Sequence, residues 1–455
     1  MIPRRDGPSR RSVLRGAGTA LASGGLGAVA GCGGVPGGGS PTDRTPTEPE
    51  RPAGYAPLGR LPLAGTTEAV VTDDGTTVAV ATGDGVATVD VSDPAAPTPL
   101  AERTGLLADR PGGPLTGVHD ASVAGDRLLA VGPSNPLPEE RVPLHAAVLF
   151  DVADPADPAV LAVTETDYPI HNATLADDLA YLTGRGPRQP VVILDPTTGD
   201  RVGSWSVLDA APAWGAVDPA LRPSHDVTVR GNRAVVAAWD AGTWLLDVSD
   251  PAAPRAVGHV GTQSPGALAE LSGDAVGVAG TELPGNSHFA MLAREDLLLV
   301  GREAWDADGD GEGGPGGIDV YDVGDPAAPV HLATVPPLPT PDPSRDGPWT
   351  TAHNVAVDGD RLYASWYHGG VSLHDLSVPS HPVTLARWRD PARAAFWTAV
   401  PADGCFVGAS TELAAATGAV YTFPDRPGRQ TDPPPLSAAR QSSATAGAPP
   451  DARSR

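Results

Sequence analysis

Five histidines of this chain share one position in a repeated pattern, and their chemistry makes them candidate metal ligands. The stretch "SHDVTVRGNRAVVAAWDAGTWLLDVSDP" begins at Ser224, and similar stretches recur along the chain. In two further copies, Glu68 and Trp397 take the place of the histidine. Several neutral imidazoles with one carboxylate and no thiolate favour copper or zinc over magnesium or calcium. The predicted ligands of this transition-metal site are His119, His171, His225, His288, His353 and Glu68.

Duplication offers a second explanation for the repeated histidine. An ancestral unit with a structural histidine, bonded to the backbone of a neighbouring unit, would leave the same pattern after copying. Since repeats share an ancestor, five matches are not five independent observations, and both explanations stay open. Neighbouring residues of a strand alternate faces, so the residues that follow four of the histidines are expected to point away from the site. These residues are Asp120, Asn172, Asp226 and Asn354.

A second group of candidate ligand-binding residues follows the second apolar run of several copies. Aromatic and charged side chains occur together there, which suits either the floor of a small-molecule pocket or ordinary loop packing. The candidate pocket residues are Trp239, Asp240, Arg302, Glu303, Trp366, Tyr367 and His368.

The acidic stretch "WDADGDGEGG" resembles a calcium-binding loop of the kind found between the strands of integrin-type propellers. Alternating carboxylates can wrap a hard cation, although such a run also suits a solvated acidic surface. An EF-hand is excluded because Gly317 stands where that loop has its last glutamate. The candidate calcium ligands are Asp306, Asp308 and Asp310.

The repeated unit predicts four short strands. A run such as "DVTV" alternates like a half-exposed strand, and a "GN" or "GD" turn then reverses the chain. Two more apolar runs follow, and "SDPAAP" interrupts the sheet before the fourth because proline cannot donate to a ladder. One such sheet cannot bury both faces, whereas a ring of sheets can. Seven copies predict an all-β, seven-bladed propeller in which the N-terminal strand, "APLGRLPLAG", completes the last blade.

The closing motifs "LLDVSDPAAP", "TVDVSDPAAP", "LFDVADPADP" and "VYDVGDPAAP" resemble the LVIVD repeat of surface and exported proteins. The resemblance covers most of the chain between residues 56 and 424, and it implies a propeller without implying an activity. Histidines lining a seven-bladed propeller are also similar, in architecture only, to the copper-binding selenium-binding proteins and to nitrous oxide reductase.

The composition narrows the classes of function. The formal net charge of −24 argues against nucleic acid and anionic membrane surfaces as partners. The sequence contains no lysine, which excludes a P-loop phosphate lysine and a Schiff-base lysine, and no nucleotide cofactor is expected. The acidic, lysine-free composition resembles that of proteins from salt-loving organisms. Cys405 is expected to be a small buried residue rather than a nucleophile.

The N-terminal residues predict export and a lipid anchor. "SRRSVLRG" resembles the twin-arginine motif, with Arg10 and Arg11 as the pair, and "AVAGC" resembles a lipobox with Cys32 as the lipidated residue. The predicted location is the outer face of the cytoplasmic membrane. The predicted organisation is a signal peptide (1–31), a flexible tether (32–55), the propeller (56–424) and a disordered tail (425–455).

Three functions fit these observations. The first is a lipid-anchored propeller that binds a protein, glycan or small molecule at its channel mouth. The second is a copper or zinc metalloenzyme, of oxidoreductase type, that uses the ring of histidines. The third is a purely structural surface component. Whether the protein is an enzyme stays open at the level of sequence.

Overall fold

Seven four-stranded antiparallel sheets form the body of the protein, described here by a computed structural model for residues 52–135 and 143–438. Within each of the first six sheets, four consecutive strands pair in chain order. The seventh sheet takes its fourth strand from the N-terminal end of the fold. The predicted seven-bladed propeller is therefore confirmed. The export motif and Cys32 lie outside the described residues.

The strands of the first half follow one another without a change of order. The N-terminal strand is β1 (Gly59–Pro62). Blade 1 consists of β2 (Ala69–Val71), β3 (Thr77–Ala81), β4 (Gly85–Asp90) and β5 (Thr98–Thr104). Blade 2 consists of β6 (Asp120–Ala124), β7 (Arg127–Gly132), β8 (His145–Asp151) and β9 (Ala159–Thr166). Blade 3 consists of β10 (Ala173–Ala176), β11 (Leu179–Thr183), β12 (Val191–Leu194) and β13 (Arg201–Trp205).

The second half repeats the same order. Blade 4 consists of β14 (Asp226–Arg230), β15 (Arg233–Ala237), β16 (Thr243–Asp247) and β17 (Arg255–Val260). Blade 5 consists of β18 (Ser287–Arg294), β19 (Leu297–Arg302), β20 (Ile318–Asp322) and β21 (Val330–Val335). Blade 6 consists of β22 (Val355–Asp358), β23 (Arg361–Ser365), β24 (Val371–Asp375) and β25 (Val383–Trp388). Blade 7 consists of β26 (Phe396–Ala402), β27 (Cys405–Ser410), β28 (Ala419–Pro424) and β1.

The first strands of neighbouring blades contact one another around the whole ring, including β26 with β2, so they line the central channel. Each of the seven hydrophobic clusters combines side chains from two neighbouring blades. Apolar faces that a single sheet would leave exposed are thus buried between blades, which is the main source of stability for this fold.

The repeated aspartate of the "DVSDP" motif has a structural role. Asp247 Oδ1 accepts a hydrogen bond from the Ser249 backbone N–H at 3.0 Å, and the equivalent aspartates make the same bond. Asp250 then accepts from the Ala252 backbone N–H. Both bonds satisfy backbone donors where the ladder ends, so the motif stops one strand and turns the chain toward the next.

Ring closure follows the sequence prediction. β1 pairs antiparallel with β28 in the register Gly59 to Thr422 and Pro62 to Ala419. The chain before β1 also contacts the fold, because Tyr55 is buried and donates a hydrogen bond to the Pro424 carbonyl at 2.9 Å.

The described part of the predicted tail, residues 425–438, lies against blades 6 and 7. Asp425 forms an ion pair with Arg361 at 2.5 Å, and the Arg389 guanidinium donates to the Pro434 carbonyl. Leu436 is buried. The structured part of the chain therefore extends beyond the boundary that the sequence predicts at residue 424.

Loops that connect blades carry the short helices near the channel. The connection from β13 to β14 contains α1 (Val207–Ala210) and two 3₁₀ helices (Pro212–Ala216 and Pro219–Leu221). The connection from β17 to β18 contains α2 (Pro265–Leu268) and α3 (Asp274–Thr281). A last 3₁₀ helix is Leu436–Ala438. Throughout the described ranges, no helix has the length and apolar character needed to cross a membrane.

Two kinds of loop meet at one end of the channel. In a four-stranded antiparallel sheet, the loop between the second and third strands and the connection to the next blade lie at the same end. The first strand of the next blade also begins there, which places the histidine position at this end. We call it the channel mouth.

Candidate metal centre at the channel mouth

Aromatic rings surround the channel mouth. From His171 round to Trp397, neighbouring ring centroids lie between 4.1 and 4.7 Å apart. The gap between Trp397 and His119 is 6.0 Å, at blade 1, where Glu68 has no ring. The members of this histidine ring are His119, His171, His225, His288, His353 and Trp397. The structure thus brings the five predicted histidines together at one end of the channel.

Local backbone geometry aims these side chains inward. His119 and His225 immediately precede the first residue of β6 and β14. His288 and Trp397 lie within their strands, but each falls at a register shift, between Ser287 and Phe289 and between Phe396 and Thr398. Such bulges re-aim a side chain that the regular ladder would direct elsewhere.

The residues that follow the histidines do not point away from the channel, which corrects the expectation from strand alternation. They line the same small cavity as the histidines, about 20 Å³ in volume. Alternation fails because each of the four histidines precedes the first ladder pair of its strand, so the regular two-residue period does not yet apply. The residues concerned are Asp120, Asn172, Asp226 and Asn354.

The residues that follow the histidines form a second layer beside the histidine ring, and Glu68 belongs to this layer rather than to the ring. Its carboxylate accepts a hydrogen bond from the Asn354 side-chain amide and interacts with Thr398. Burial raises the pKa of Glu68 to about 8, against the hydrogen bonds from these two partners. Burial likewise raises the pKa of Asp226 to about 7 and that of Asp120 well above its usual range. This layer is therefore rich in carboxyl groups that hold their protons near neutral pH.

A second set of side chains extends the mouth above the ring. In each blade, one residue of the second strand pairs with the aspartate of the closing motif; it is Arg233 in blade 4 and Arg361 in blade 6. Counted from this residue, Trp239, Glu303 and Tyr367 occupy the same position in blades 4, 5 and 6. We call these three residues the upper group.

The upper group contacts the ring directly. The Trp239 ring centroid lies 5.6 Å from that of His225, and the Tyr367 centroid lies 4.8 Å from that of His353. Glu303 Oε2 lies 3.0 Å from His288 Nδ1. Three of the predicted pocket residues thus meet the predicted metal residues. Their shared place in the repeat is a sequence signal that predicts this meeting.

Three side chains present a compact set of metal-binding atoms. One ligand atom each from His288, Glu303 and His353 lies within 4.8 Å of the others, and all three residues are buried. Two ligands bound to zinc at about 2.1 Å each lie at most about 4.2 Å apart, so small side-chain movements complete the geometry. The Tyr367 hydroxyl donates to Glu303 Oε1 at 2.5 Å and orients the carboxylate.

The protonation states suit a metal. Burial, followed by the charge of His288, lowers the pKa of His353 to about 3. Burial alone would raise the pKa of Glu303, but His288, through its charge and a hydrogen bond, lowers it to about 2, with smaller contributions from His353 and Tyr367. Burial lowers the pKa of His225 and His171 well below the usual range. Neutral imidazoles at His353, His225 and His171 and a carboxylate anion at Glu303 are forms that bind metals.

Hydrogen bonds to backbone carbonyls fix three of the ring histidines, and in the first of them His171 Nδ1 lies 3.0 Å from the Ser134 carbonyl oxygen. His225 Nδ1 donates to the His288 carbonyl at 3.0 Å, and His353 Nδ1 donates to the Trp397 carbonyl at 2.6 Å. The acceptors of His225 and His353 belong to the next blade and that of His171 to the preceding one, so each histidine bonds a neighbouring blade, as the inherited structural histidine predicts. Because a carbonyl only accepts, Nδ1 carries the proton, and Nε2 keeps its lone pair for a ligand. The same arrangement thus suits both explanations of the repeated histidine, the inherited structural role and the metal site.

The remaining predicted pocket residues have partners that account for them structurally. Arg302 pairs with Asp319 at 3.1 Å. Trp366 donates from Nε1 to Ser372 Oγ within a hydrophobic cluster. Asp240 accepts from Gln263, and His368 Nδ1 accepts from the Trp349 backbone N–H. These four residues shape the loops around the mouth rather than the ring itself.

The cysteine prediction agrees with the structure. Cys405 is buried, and burial, with Asp425 and Asp403, raises the pKa of its thiol to about 11. A thiol of this kind is a poor nucleophile.

Comparisons with known proteins agree with the fold. A family model described as the LVIVD repeat matches residues 222–262. Among solved structures, U3-55K has a TM-score of 0.54 at 12% identity, covering 82% of this chain and 100% of that chain. The Myceliophteria thermophila Cps50 (Swd1) β-propeller domain has the same score and identity, covering 82% and 99%. The RRP9 WD40 repeats have a TM-score of 0.53 at 13% identity, covering 82% and 99%. No curated protein matches the chain.

The fold and the mouth define a seven-bladed β-propeller with a histidine-lined channel. The match over blade 4 confirms that the chain contains an LVIVD repeat. At 12–13% identity, the solved structures show the fold alone.

Proposed function

We propose that this protein is a metal-binding propeller that holds copper or zinc at its channel mouth and acts there on a small molecule. The observation that supports it is the convergence of ligand atoms from His288, Glu303 and His353 within 4.8 Å in a buried setting. Two imidazoles and one carboxylate form a donor set that suits zinc, copper or iron and disfavours magnesium or calcium.

The size of the site limits the substrate. The cavity at the ring, about 20 Å³, has room for about one water molecule. The reacting group of the substrate is therefore small, and the rest of the substrate contacts the upper group. The bound metal decides the reaction class, since copper supports oxidation and reduction whereas zinc polarises a bound water or carbonyl.

Metal content tests this proposal. The full-length chain, purified without a histidine tag, is incubated with copper or zinc, dialysed, and analysed by mass spectrometry. We expect about one equivalent of metal in the wild type and a loss of that equivalent in Glu303→Gln and His353→Ala. Glu412→Gln is a matched control, because Glu412 lies in the equivalent loop of blade 7 and accepts from the Gly65 backbone N–H. Absence of bound metal in the wild type would contradict the proposal.

A second candidate is a propeller that binds a protein, glycan or small molecule without a metal. The 3.0 Å contact between His288 Nδ1 and Glu303 Oε2 favours it, because each of these groups already has a polar neighbour. The partly exposed aromatic side chains of Trp239 and Trp397 supply stacking surfaces for such a partner. Ligand-induced thermal stabilisation that persists in Glu303→Gln and disappears in Trp397→Ala supports this candidate.

We also propose that the chain is exported by the twin-arginine route and anchored by lipid on the outer face of the cytoplasmic membrane. The support is the order of Arg10, Arg11 and Cys32 in the sequence. Mass spectrometry of the mature N-terminus is expected to find an acylated Cys32. A Cys32→Ala variant that stays in the membrane fraction contradicts the anchor.

A further inference from the structure

We propose a second cation site, for calcium, held by Glu282, Asp306 and Asp308. The site lies in the loops around blade 5 and involves none of the channel histidines. It therefore stands independently of the proposed metal at the mouth. The sequence points to this loop, but it names Asp310 as a ligand, where the structure supplies Glu282 instead.

The donor atoms have the spacing that calcium requires. One carboxylate oxygen each from Glu282, Asp306 and Asp308 lies within 4.8 Å of the others. Calcium binds oxygens at about 2.3–2.6 Å, so two of its ligands lie at most about 5.2 Å apart. The three oxygens therefore lie close enough together for calcium to bind them after small side-chain movements. A set of carboxylates without nitrogen or sulphur ligands favours a hard cation over copper or zinc.

Asp306 is the strongest sign that an ion belongs here. The residue is only 5% exposed, and its Oδ1 is buried without a hydrogen-bond partner among the described residues. Its Oδ2 accepts from the Gly311 backbone N–H at 3.0 Å. A buried carboxylate oxygen without a partner loses solvation without compensation, and a bound cation supplies that compensation.

Glu282 reaches the acidic loop from a different connection. It follows α3, and its Oε1 accepts from the backbone N–H groups of Ala307 and Asp308, at 2.9 and 3.1 Å. These bonds hold a buried carboxylate beside the two aspartates. Asp308 is exposed, so water has access to complete the coordination that calcium needs.

A cation at this position joins loops that are distant in sequence. The Trp305 backbone N–H donates to the Thr281 carbonyl at 2.9 Å, and the Asp306 backbone N–H donates to the Pro343 carbonyl at 3.1 Å. The Trp305 ring lies 4.9 Å from the Trp349 ring. The site therefore joins the connection that carries Glu282 to the loop that carries Asp306 and Asp308, and this loop in turn contacts the connection before blade 6. Calcium is expected to raise the thermal stability of this region.

Calcium binding by the full-length chain tests the proposal. After treatment with a chelator, the protein is titrated with Tb³⁺, whose luminescence is excited through the neighbouring Trp305, and the Tb³⁺ is displaced with Ca²⁺. We expect one site in the wild type. Asp306→Asn and Glu282→Gln, which keep the size of each side chain, are expected to weaken binding about tenfold or more, because calcium affinity follows ligand charge. Asp310→Asn is the matched control and is expected to bind like the wild type.

Each other outcome contradicts the site. A wild type that neither sensitises Tb³⁺ nor gains thermal stability from Ca²⁺ has no calcium site here. An equal loss in Asp310→Asn would assign the cation to the loop that the sequence alone predicts. Circular dichroism checks folding, and if Asp306→Asn does not fold, then Glu282→Gln decides, because a glutamine oxygen can still accept the two backbone hydrogen bonds.

Discussion

One side of the channel mouth is covered and the other is more open, although the same repeated histidine position occurs on both. His225, His288 and His353 are buried on the covered side, where the helix-bearing connections and the acidic loop lie. His119, His171 and Trp397 on the open side are partly exposed. Both sides carry the repeated histidine position, but the buried environment occurs only on the side where the helix-bearing connections and the acidic loop lie.

The contrast shows that burial, more than residue type, defines the candidate metal centre. Glu303 comes from a loop on the covered side and forms a compact group with His288 and His353. The neighbouring Trp239 and Tyr367 occupy the same place in their blades without supplying a carboxylate. Within the part of the chain that the structure describes, two of the five imidazoles thus lie in a compact group with a carboxylate.

Removal of one histidine from each side tests the contrast most strongly. We expect His288→Ala to weaken zinc or copper binding by more than about 100-fold, since a direct ligand is lost, and His119→Ala to leave it nearly unchanged. Isothermal titration with each metal measures both affinities. Equal losses in the two variants would show that the whole ring binds the metal and that the two sides do not differ.

Tyr367→Phe tests how the covered side positions its carboxylate. The variant loses the hydrogen bond to Glu303, and we expect metal affinity to fall about tenfold, as is usual for partners of metal ligands. Tyr421→Phe is the control, since it also loses a hydrogen bond, from Arg60, but lies in blade 7. A normal affinity in Tyr367→Phe would mean that Glu303 needs no positioning.

Chemical modification compares the two sides directly. Diethylpyrocarbonate reacts with accessible neutral imidazoles, so we expect His119 and His171 to be modified several-fold faster than His225 and His353. Peptide mass spectrometry follows each residue over time. Faster modification of His353 than of His119 would mean that the loops of the covered side open readily in solution.

Glu68→Gln tests the carboxyl layer beneath the open side. An acid whose pKa is raised in the folded state stabilises the fold fully below its unfolded value, about 4.5, and loses that contribution as the pH rises through about 8. The variant, which cannot ionise, should match the wild type near pH 5 and exceed its Tm by roughly 2 °C or more near pH 9. Thermal melts across this range provide the measurement, and parallel curves for both proteins would contradict it.

Most of the fold was predictable from the sequence because its signals are local. Each blade is recognisable from alternating apolar and polar residues, from a tight turn such as the one at Gly231, and from an aspartate such as Asp247 at the end of a strand. Ring closure by β1 follows from a spare strand at one end and a missing strand at the other. The site was predictable in part, since equivalent positions of equivalent blades must converge in a ring.

Periodicity and the symmetry of a ring were enough to predict the seven blades, the ring closure and the convergence of five histidines. The grouping of Glu303 with His288 and His353, and that of Glu282 with Asp306 and Asp308, follows from the packed fold and not from the repeat. These choices depend on how the inserted loops pack over the mouth, through contacts such as that between Trp305 and Thr281. Such contacts do not recur from blade to blade, so no repeated spacing in the sequence predicts them.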